Sequence, residues 1–450
     1  MLAALAARFR DGTDDPVAAL ERALAAAERA HLDRALRALV PGAMEGARAA
    51  AQRFQQNAAL GPLDGIPLVV KDCVDVRGLP TTNGTRLPVP AAERSATIVE
   101  RLEAAGAVIF AKANMHELGI QPTGVNPHHG TPLNPWDGGR IPGGSSSGAA
   151  VSVATGIAPA AIGTDAGGSI RVPAALNGLV GLKPTFGSVP AEGIARLTHD
   201  LDHIGPIGWS SADCAALFEV ISGRALERDV PVGRPALVTD LFEGADDAVA
   251  SAVRAAVREC FGDLPELQAP ATAWASAIEF VIVGEQSFQL AEQMLRDHPH
   301  LLGHDTRAIL RLGGALPAED RRRAARAREV LTAELEAHLA SFDLLLGPTT
   351  GTFAPPLHPL ARRYGELDTR TMARLASQTF PANLSGLPAC TVPCVREGLP
   401  LGLQIIGRRG DEARVLAAAA VVEAKFPPRK PPRYHGDERV KVTHFPSPAR

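Results

Sequence analysis

The sequence predicts an α/β protein built as a single large domain, with a mixed central β-sheet covered by helices on both faces. Three observations carry this. Between Leu60 and about Gly208, short apolar runs alternate with helical patterns and Gly-rich turns, as in a sheet flanked by helices. Stretches of helical period, rich in Ala, Leu and Arg, lie before this region and return at 211–340. No Gly/Ser linker and no internal repeat divides the 450 residues, although that length alone would permit two or three domains.

Taken in order, 15–56 reads as two amphipathic helices separated by Pro41-Gly42, within an N-terminal helical portion at 1–58. A core at 60–210 follows, with strands expected at 66–70, 107–111 and 158–162. The stretch 149–162, AAVSVATGIAPAAI, reads as one helix and one short strand. Residues 211–340 are expected to be helical, ending in a charged helix around 321–338 that packs from Val330 and Leu331 onward. A final α/β portion at 341–426 places strands at 344–346, 390–392 and 401–406 and a helix at 412–424. The Pro-rich basic stretch 427–450 is expected to be an extended surface tail.

Apolar residues make up 46% of the chain and charged residues 21%, and the formal net charge is -3. No acidic or basic excess points to nucleic acid or a membrane surface, so the expected partner is a small molecule. The opening MLAALAARFRDG has no cation ahead of its apolar run and Arg8, Arg10 and Asp11 directly within or after it, unlike a secretory leader. No apolar stretch approaches the roughly 18 residues needed to cross a bilayer. The five cysteines are scattered, odd in number and without metal-ligand spacing, and read as core residues of a cytoplasmic protein. The thirteen histidines include no HExxH, and His128-His129 lies in a Pro/Gly-rich stretch, so neither a metal nor an organic cofactor is expected.

The densest chemical signal is a pair of Gly/Ser clusters, Pro142 to Gly148 (PGGSSSG) and Gly163 to Arg171 (GTDAGGSIR). Loops of this kind that open a helix present free backbone N–H groups and can hold a phosphate or a developing oxyanion. A phosphate cradle of the Walker type is excluded, because no Lys-Ser or Lys-Thr pair follows the glycines and Lys183 is followed by Pro184. Gly144 to Gly148 formally satisfies GxSxG, which would make Ser146 a nucleophile, but that pattern is short and matches often by chance. Asp165 and Arg171, six residues apart across the second cluster, read as a supporting ion pair, and Ser146 and Ser147 as loop hydrogen-bonders or helix N-caps.

The run GPLDGIPLVVKD at 61–72, followed by GGSSSG and then DAGGSIRVPAALNGLVGLKPTFG, is similar to the amidase-signature family. Shorter segments agree in the same order: Thr81 to Thr85, Asn114 to Leu118, Asn134-Pro135-Trp136, Leu201 to Pro206, FDLLLGPTT at 342–350, and PANLSGLPACTVP with GLPLGLQIIG near the end. Only 215–340 and the tail stay unmatched.

The resemblance implies catalysis by Ser169 as nucleophile, Ser145 as proton bridge behind a cis Gly144-Ser145 peptide, and Lys71 as base. It places the oxyanion on the N–H groups of Ala166, Gly167, Gly168 and Ser169. Ser146, His116, Thr123 and Asn126 fall where it predicts pocket wall or support. Lysine can take a serine proton only as a neutral amine, so its pKa must be lowered by burial. Leu68, Val69 and Val70 supply an apolar setting, which Asp72 would oppose if it pointed inward. The implied activity is hydrolysis of a carboxylic amide through an acyl-enzyme on Ser169. The alternatives are an A-type subunit of a tRNA-dependent amidotransferase, releasing ammonia from glutamine, and a silent scaffold of the same fold. Those subunits usually carry Asp-Glu-Phe where this chain has His116-Glu117-Leu118, and a Ser-rich loop where it has Gln121-Pro122-Thr123. The substrate and the choice between monomer and homodimer stay open at this level.

Overall fold

The computed structural model describes residues 1–29, 34–365 and 368–436. Among them, eleven strands form one sheet: β1 (Leu36–Leu39), β2 (Pro67–Lys71), β3 (Val108–Ala113), β4 (Ala160–Asp165), β5 (Val180–Lys183), β6 (His203–Gly208), β7 (Pro235–Val238), β8 (Glu266–Leu267), β9 (Leu344–Pro348), β10 (Ala389–Pro393) and β11 (Gly402–Gly407). Their spatial order is β1-β3-β2-β4-β6-β5-β10-β11-β9-β7-β8. The sheet is mixed. β3, β2 and β4 run parallel, the pairs from β4 through β6, β5, β10 and β11 to β9 are antiparallel, and β9, β7 and β8 are parallel again.

Strands covered on both faces need apolar side chains on both, and every residue of β2, β4 and β10 is buried. Alternate positions feed different cores. Leu68, Val70 and Ile162 join a cluster that includes Leu217 and Phe218 of the helix Ser211–Ser222 and Val415 and Val422 of the helix Glu412–Lys425. Val69 and Ala161 face the opposite cluster, made with Leu20 of the helix Pro16–Arg29 and Val151 of the helix Ser147–Ala154. This is the period-two alternation of a strand dividing its side chains between two helical layers.

The expected strands at 66–70, 107–111, 158–162, 344–346, 390–392 and 401–406 are present, each shifted or extended by a few residues. The N-terminal region differs. A further helix, Leu2–Arg10, precedes the expected pair, the pair itself is Pro16–Arg29 and Ala43–Gln55, and Leu36–Leu39 is a sheet-edge strand antiparallel to β3. That strand shares the Ala/Leu/Arg composition of its helical neighbours, so only its pairing reveals it. The stretch 211–340 is mainly helical, but a loop at 224–234 interrupts it, as do β7 and β8, which are too short to announce themselves.

The charged helix Ala318–Ser341 buries Ala324, Leu331, Leu335 and Leu339, while Val330 lies 53% exposed on the far side. Its packed face therefore includes Ala324 and Leu331 but not Val330. Helices Ala275–Asp297 and His304–Gly314 cross closely where Gly284 meets Gly313: a Cβ added to Gly313 would lie 1.9 Å from the Gly284 carbonyl oxygen. Residues 427–436 form no helix or strand but are fastened to the body, Arg429 over the Trp136 ring at 4.6 Å and Tyr434 edge-on to Trp209 at 6.0 Å. The rest of the expected tail lies outside the described residues. No described helix is long and apolar enough to cross a membrane.

The placement of the charged helix yields a test by urea unfolding. Leu335→Ala is expected to cost ~2–5 kcal/mol, whereas Val330→Ala should stay within ~0.5 kcal/mol of the parent. Equal losses would contradict this orientation of the helix.

Candidate active site

β2 and β4 are parallel neighbours, with Val69 opposite Ala161 and Val70 opposite Ile162, so their carboxyl ends lie side by side. Lys71 closes β2, and Thr164 and Asp165 close β4. The first Gly/Ser cluster leads into the helix Ser147–Ala154, and its Gly144-Ser145 peptide is cis. The second forms the turn from β4 to the helix Arg171–Asn177 and carries Ser169, with Gly168 at φ +118°. The two loops meet at the carboxyl ends of central strands, because β2 and β4 are flanked by β3 and β6.

Lys71 Nζ lies 2.7 Å from Ser145 Oγ and 2.8 Å from Thr164 Oγ1, with both Lys71 and Ser145 only 1% exposed. Burial pulls the amine below the ordinary lysine range, against the opposing pull of Cys73, Asp202 and Asp165. Asp72 turns away from Lys71. Its carboxylate pairs with Lys112 at 3.1 Å and accepts from the Thr82 hydroxyl.

Lys71, Ser145, Thr164, Asp202 and Ser169 line one small polar cavity. Ser169 also lines a second cavity of about 270 Å³, walled by apolar side chains such as Ile120, Val283, Leu312, Met372 and Phe380. The serine thus stands where the two meet.

Asp165 and Arg171 build the turn that presents it. Both are fully buried and form an ion pair at 3.0 Å, as their spacing suggests. Burial alone would raise the Asp165 carboxyl, but the Arg171 charge and the hydrogen bonds it receives overcome this and hold it well below the usual range. Asp165 accepts from the backbone N–H of Gly168 at 2.7 Å and Ile170 at 3.1 Å. Arg171 reaches on to Gln404 Oε1 at 2.6 Å, to the Thr379 carbonyl at 3.0 Å and to Asn383.

One expected oxyanion donor is thereby lost: the Gly168 N–H is spent on Asp165. Those of Ala166, Gly167 and Ser169 have no acceptor among the described residues, and all three residues line the apolar cavity. Ser146 occupies the N-cap position of its helix, yet its hydroxyl does not cap it. It donates to the Thr164 carbonyl at 3.2 Å, while its N–H donates to the Ser169 carbonyl at 3.2 Å, tying the two Gly/Ser loops together. Lys183 donates to the Pro184 carbonyl at 3.0 Å, away from both cavities.

His116, Thr123 and Asn126 line neither of these two cavities and pack the loops behind them. The His116 N–H donates to the Ser145 carbonyl at 3.0 Å. Its ring, held down to about 3 by burial and by Lys71, is neutral, so its 3.6 Å approach to Asp305 is not an ion pair. Thr123 Oγ1 lies 3.5 Å from His116 Nδ1, and Asn126 donates to the carbonyls of Gly84 at 2.9 Å and Met115 at 2.8 Å.

Thr164, Asp202 and Glu279 were not singled out by sequence reasoning. Thr164 lies inside the second Gly/Ser cluster and Asp202 inside a matched motif, which is a signal of place but not of role. Glu279 lies in the 215–340 stretch, where the sequence offers no recognisable motif, although the family model reported below extends over it from residue 263. Among the described residues no group of three or more His, Cys, Asp or Glu is placed to hold a metal ion.

A family model described as Amidase matches residues 18–241 and 263–416. The A subunit of the glutamyl-tRNA(Gln) amidotransferase of Chloroflexus aurantiacus is 38% identical over 422 residues, covering 83% of this chain and 85% of that protein. A solved structure described as an amidase overlays with TM-score 0.87 at 36% identity, covering 94% of this chain and 99% of the other. The corresponding A subunit from Thermotoga maritima overlays less closely, with TM-score 0.74 at 27% identity and 92% of each chain covered. By structure, the chain resembles free-standing amidases more than the amidotransferase component.

Removing one partner of a buried ion pair typically costs ~3–5 kcal/mol, because the other charge is left unpaired. Arg171→Met should lower unfolding stability by that order. Asp165→Asn combined with Arg171→Met should lose clearly less than the sum of the two single changes in the same denaturation assay. Additive losses would show that the two side chains do not act as a pair.

Proposed function

Because the chain belongs to the amidase family and is a hydrolase of amide bonds, we propose that it is a free-standing amidase cleaving a carboxylic amide to carboxylate and ammonia or amine through an acyl-enzyme on Ser169. The observation that carries this reading is the 2.7 Å contact between Lys71 Nζ and Ser145 Oγ in a buried cavity that Ser169 also lines. A neutral amine has two N–H bonds and one lone pair. Lys71 Nζ lies 2.8 Å from Thr164 Oγ1 and 2.7 Å from Ser145 Oγ, so the neutral amine of this reading can donate to Thr164 and keep its lone pair for the Ser145 proton.

The steps follow. Ser169 attacks the amide carbonyl, its proton passes to Ser145, and the Ser145 proton passes to Lys71. The C–N bond breaks as the same chain returns a proton to the leaving nitrogen, and water, activated in the same way, releases the acid. The tetrahedral oxyanion is received by the unpaired N–H groups of Ala166, Gly167 and Ser169, each worth ~2.7–4 kcal/mol by the usual cost of deleting such a donor. Asp202, whose carboxyl is pushed up by burial and which accepts from the Thr198 N–H at 2.8 Å, closes the polar cavity beside the base.

A second reading, an amidotransferase component of the A type, draws on the 38% identity to the Chloroflexus protein. The closer overlay on the solved amidase and the His116-Glu117-Leu118 and Gln121-Pro122-Thr123 segments favour the first. Hydrolysis assays of the purified chain on aliphatic, aromatic and amino-acid amides, glutamine included, separate them. Turnover of simple amides without partners supports the first reading, and activity on glutamine alone would transfer the chain to the second.

The roles are tested residue by residue. A fluorophosphonate should label Ser169, found by peptide mapping, and label on Ser146 that persists in Ser169→Ala would overturn the assignment.

kcat/KM should fall as pH drops through an apparent pKa well below that of free lysine, because the protonated amine cannot accept the serine proton. That limb belongs to the coupled Lys71-Ser145-Ser169 unit. Lys71→Ala should cost several orders of magnitude and Lys71→Arg nearly as much, since arginine does not deprotonate in this range. Retention of more than about a tenth of the activity by Lys71→Ala, a loss under ~1.4 kcal/mol, would remove lysine from the role of base.

A further inference from the structure

The apolar cavity beside Ser169 contains one group that its walls do not explain. Glu279, on the helix Ala275–Asp297, is 5% exposed and lines this cavity, and its Oε2 has no hydrogen-bond partner. Its other oxygen rests against the turn that carries the nucleophile: a Cβ added to Gly167 would lie 2.5 Å from Glu279 Oε1. Two cations act on it from nearby, and both are engaged elsewhere, Arg171 on Asp165 and Arg328 on Asp200. Burial, reinforced by the Asp165 carboxylate, pushes Glu279 well above the ordinary carboxyl range, which favours the protonated acid in the cavity.

A buried carboxyl without a partner destabilises the protein that holds it. A ligand that completes its hydrogen bonding reverses that cost. The position narrows what that ligand is. A carbonyl held at Ser169 with its oxygen on the Ala166, Gly167 and Ser169 N–H groups places the first atoms of its acyl chain beside Gly167, and so beside Glu279. Beyond that point the walls are apolar.

We propose that Glu279 recognises a basic nitrogen close to the carbonyl on the acyl part of the substrate, so that the preferred amides are those of α-amino acids with apolar side chains. This deepens the amidase reading and rests on it. The charge balance is favourable. A neutral amine entering the cavity takes the Glu279 proton, the O–H bond breaking as an N–H bond forms, and the resulting ammonium–carboxylate pair brings no net charge into the apolar space. An α-amino group, with an ordinary pKa of about 7.7–8.0, has a large neutral fraction near pH 8.

The test separates recognition from turnover by using Ser169→Ala protein, which holds an amide without cleaving it. Calorimetry at pH 8 compares leucinamide with 4-methylpentanamide, the same skeleton without the amine. Leucinamide is expected to bind at least ~10-fold more tightly, a difference of ~1.4 kcal/mol. Adding Glu279→Gln, which keeps the shape, should shrink the preference, and adding Glu279→Leu should abolish or reverse it. Equal affinities, tighter binding of 4-methylpentanamide, no binding of leucinamide, or a preference unchanged in both Glu279 variants would each overturn the proposal. If leucinamide binds with the expected preference but the protein with Ser169 intact fails to cleave it, recognition stands and the amidase reading falls.

Discussion

The buried pair of Asp165 and Arg171 is the constraint on which the rest of the site depends. Asp165 ends a strand, Arg171 starts a helix, and the turn between them is shaped by backbone N–H groups converging on one carboxylate. Burial raises that carboxyl, and the guanidinium is the largest of the influences that hold it down and keep the turn its charged acceptor. The same guanidinium reaches Gln404 on β11 and Asn383 on the helix Phe380–Leu384. One cation therefore joins the loop of Ser169 to the C-terminal half of the chain, more than two hundred residues away, and fixes the serine relative to walls drawn from both halves.

Around that anchor the two cavities divide the work. Behind Ser169 lie Lys71, Ser145 and Thr164, held by adjacent parallel strands and by the Ser146 bridge between the Gly/Ser loops. In front lies apolar space supplied largely by helices Ala275–Asp297 and His304–Gly314 and by residues 369–380. In the proposed mechanism the proton chemistry is built on sheet and anchored turns, and the substrate would be met by helices packed against them.

Much of the first half was legible in the sequence. Lys71, Ser145 and Ser169 sit in dense motifs, and the strands around them carry apolar residues on both faces, as only strands covered from both sides do. Legibility ended where a role depends on direction. Nothing in Gly167-Gly168-Ser169 says that the middle N–H turns back to Asp165 while its neighbours face the cavity. Thr164 and Asp202 lie inside recognisable segments, but their approach to Lys71 follows from strand pairing and from the return of the chain at 197–202. His116 reads as pocket wall or support by position, and only the folded chain shows its ring against Thr123 in loop packing. β1 was hidden because Leu36–Leu39 continues the composition of the helices beside it, and β7 and β8 because four and two residues give no period to detect. Glu279 is one carboxylate on an otherwise ordinary amphipathic helix, and only its burial in the folded chain sets it apart.

The burial of Lys71 has a consequence for how such a protein can vary. Among the described residues, the groups that act on this lysine through charge all raise its pKa, and burial alone lowers it toward the neutral amine. As the proposed base it therefore depends on a seal. Substitutions among the helices in front of Ser169 can reshape the space offered to a substrate while that seal holds, so preference can drift with the chemistry intact. A small-to-polar change behind Ser145, or a cavity opened beneath Thr164, would admit water and recharge the amine without touching any of the three reacting side chains. The tolerance of this chain to mutation should accordingly be lopsided, permissive on the substrate side and severe on the side that no substrate reaches.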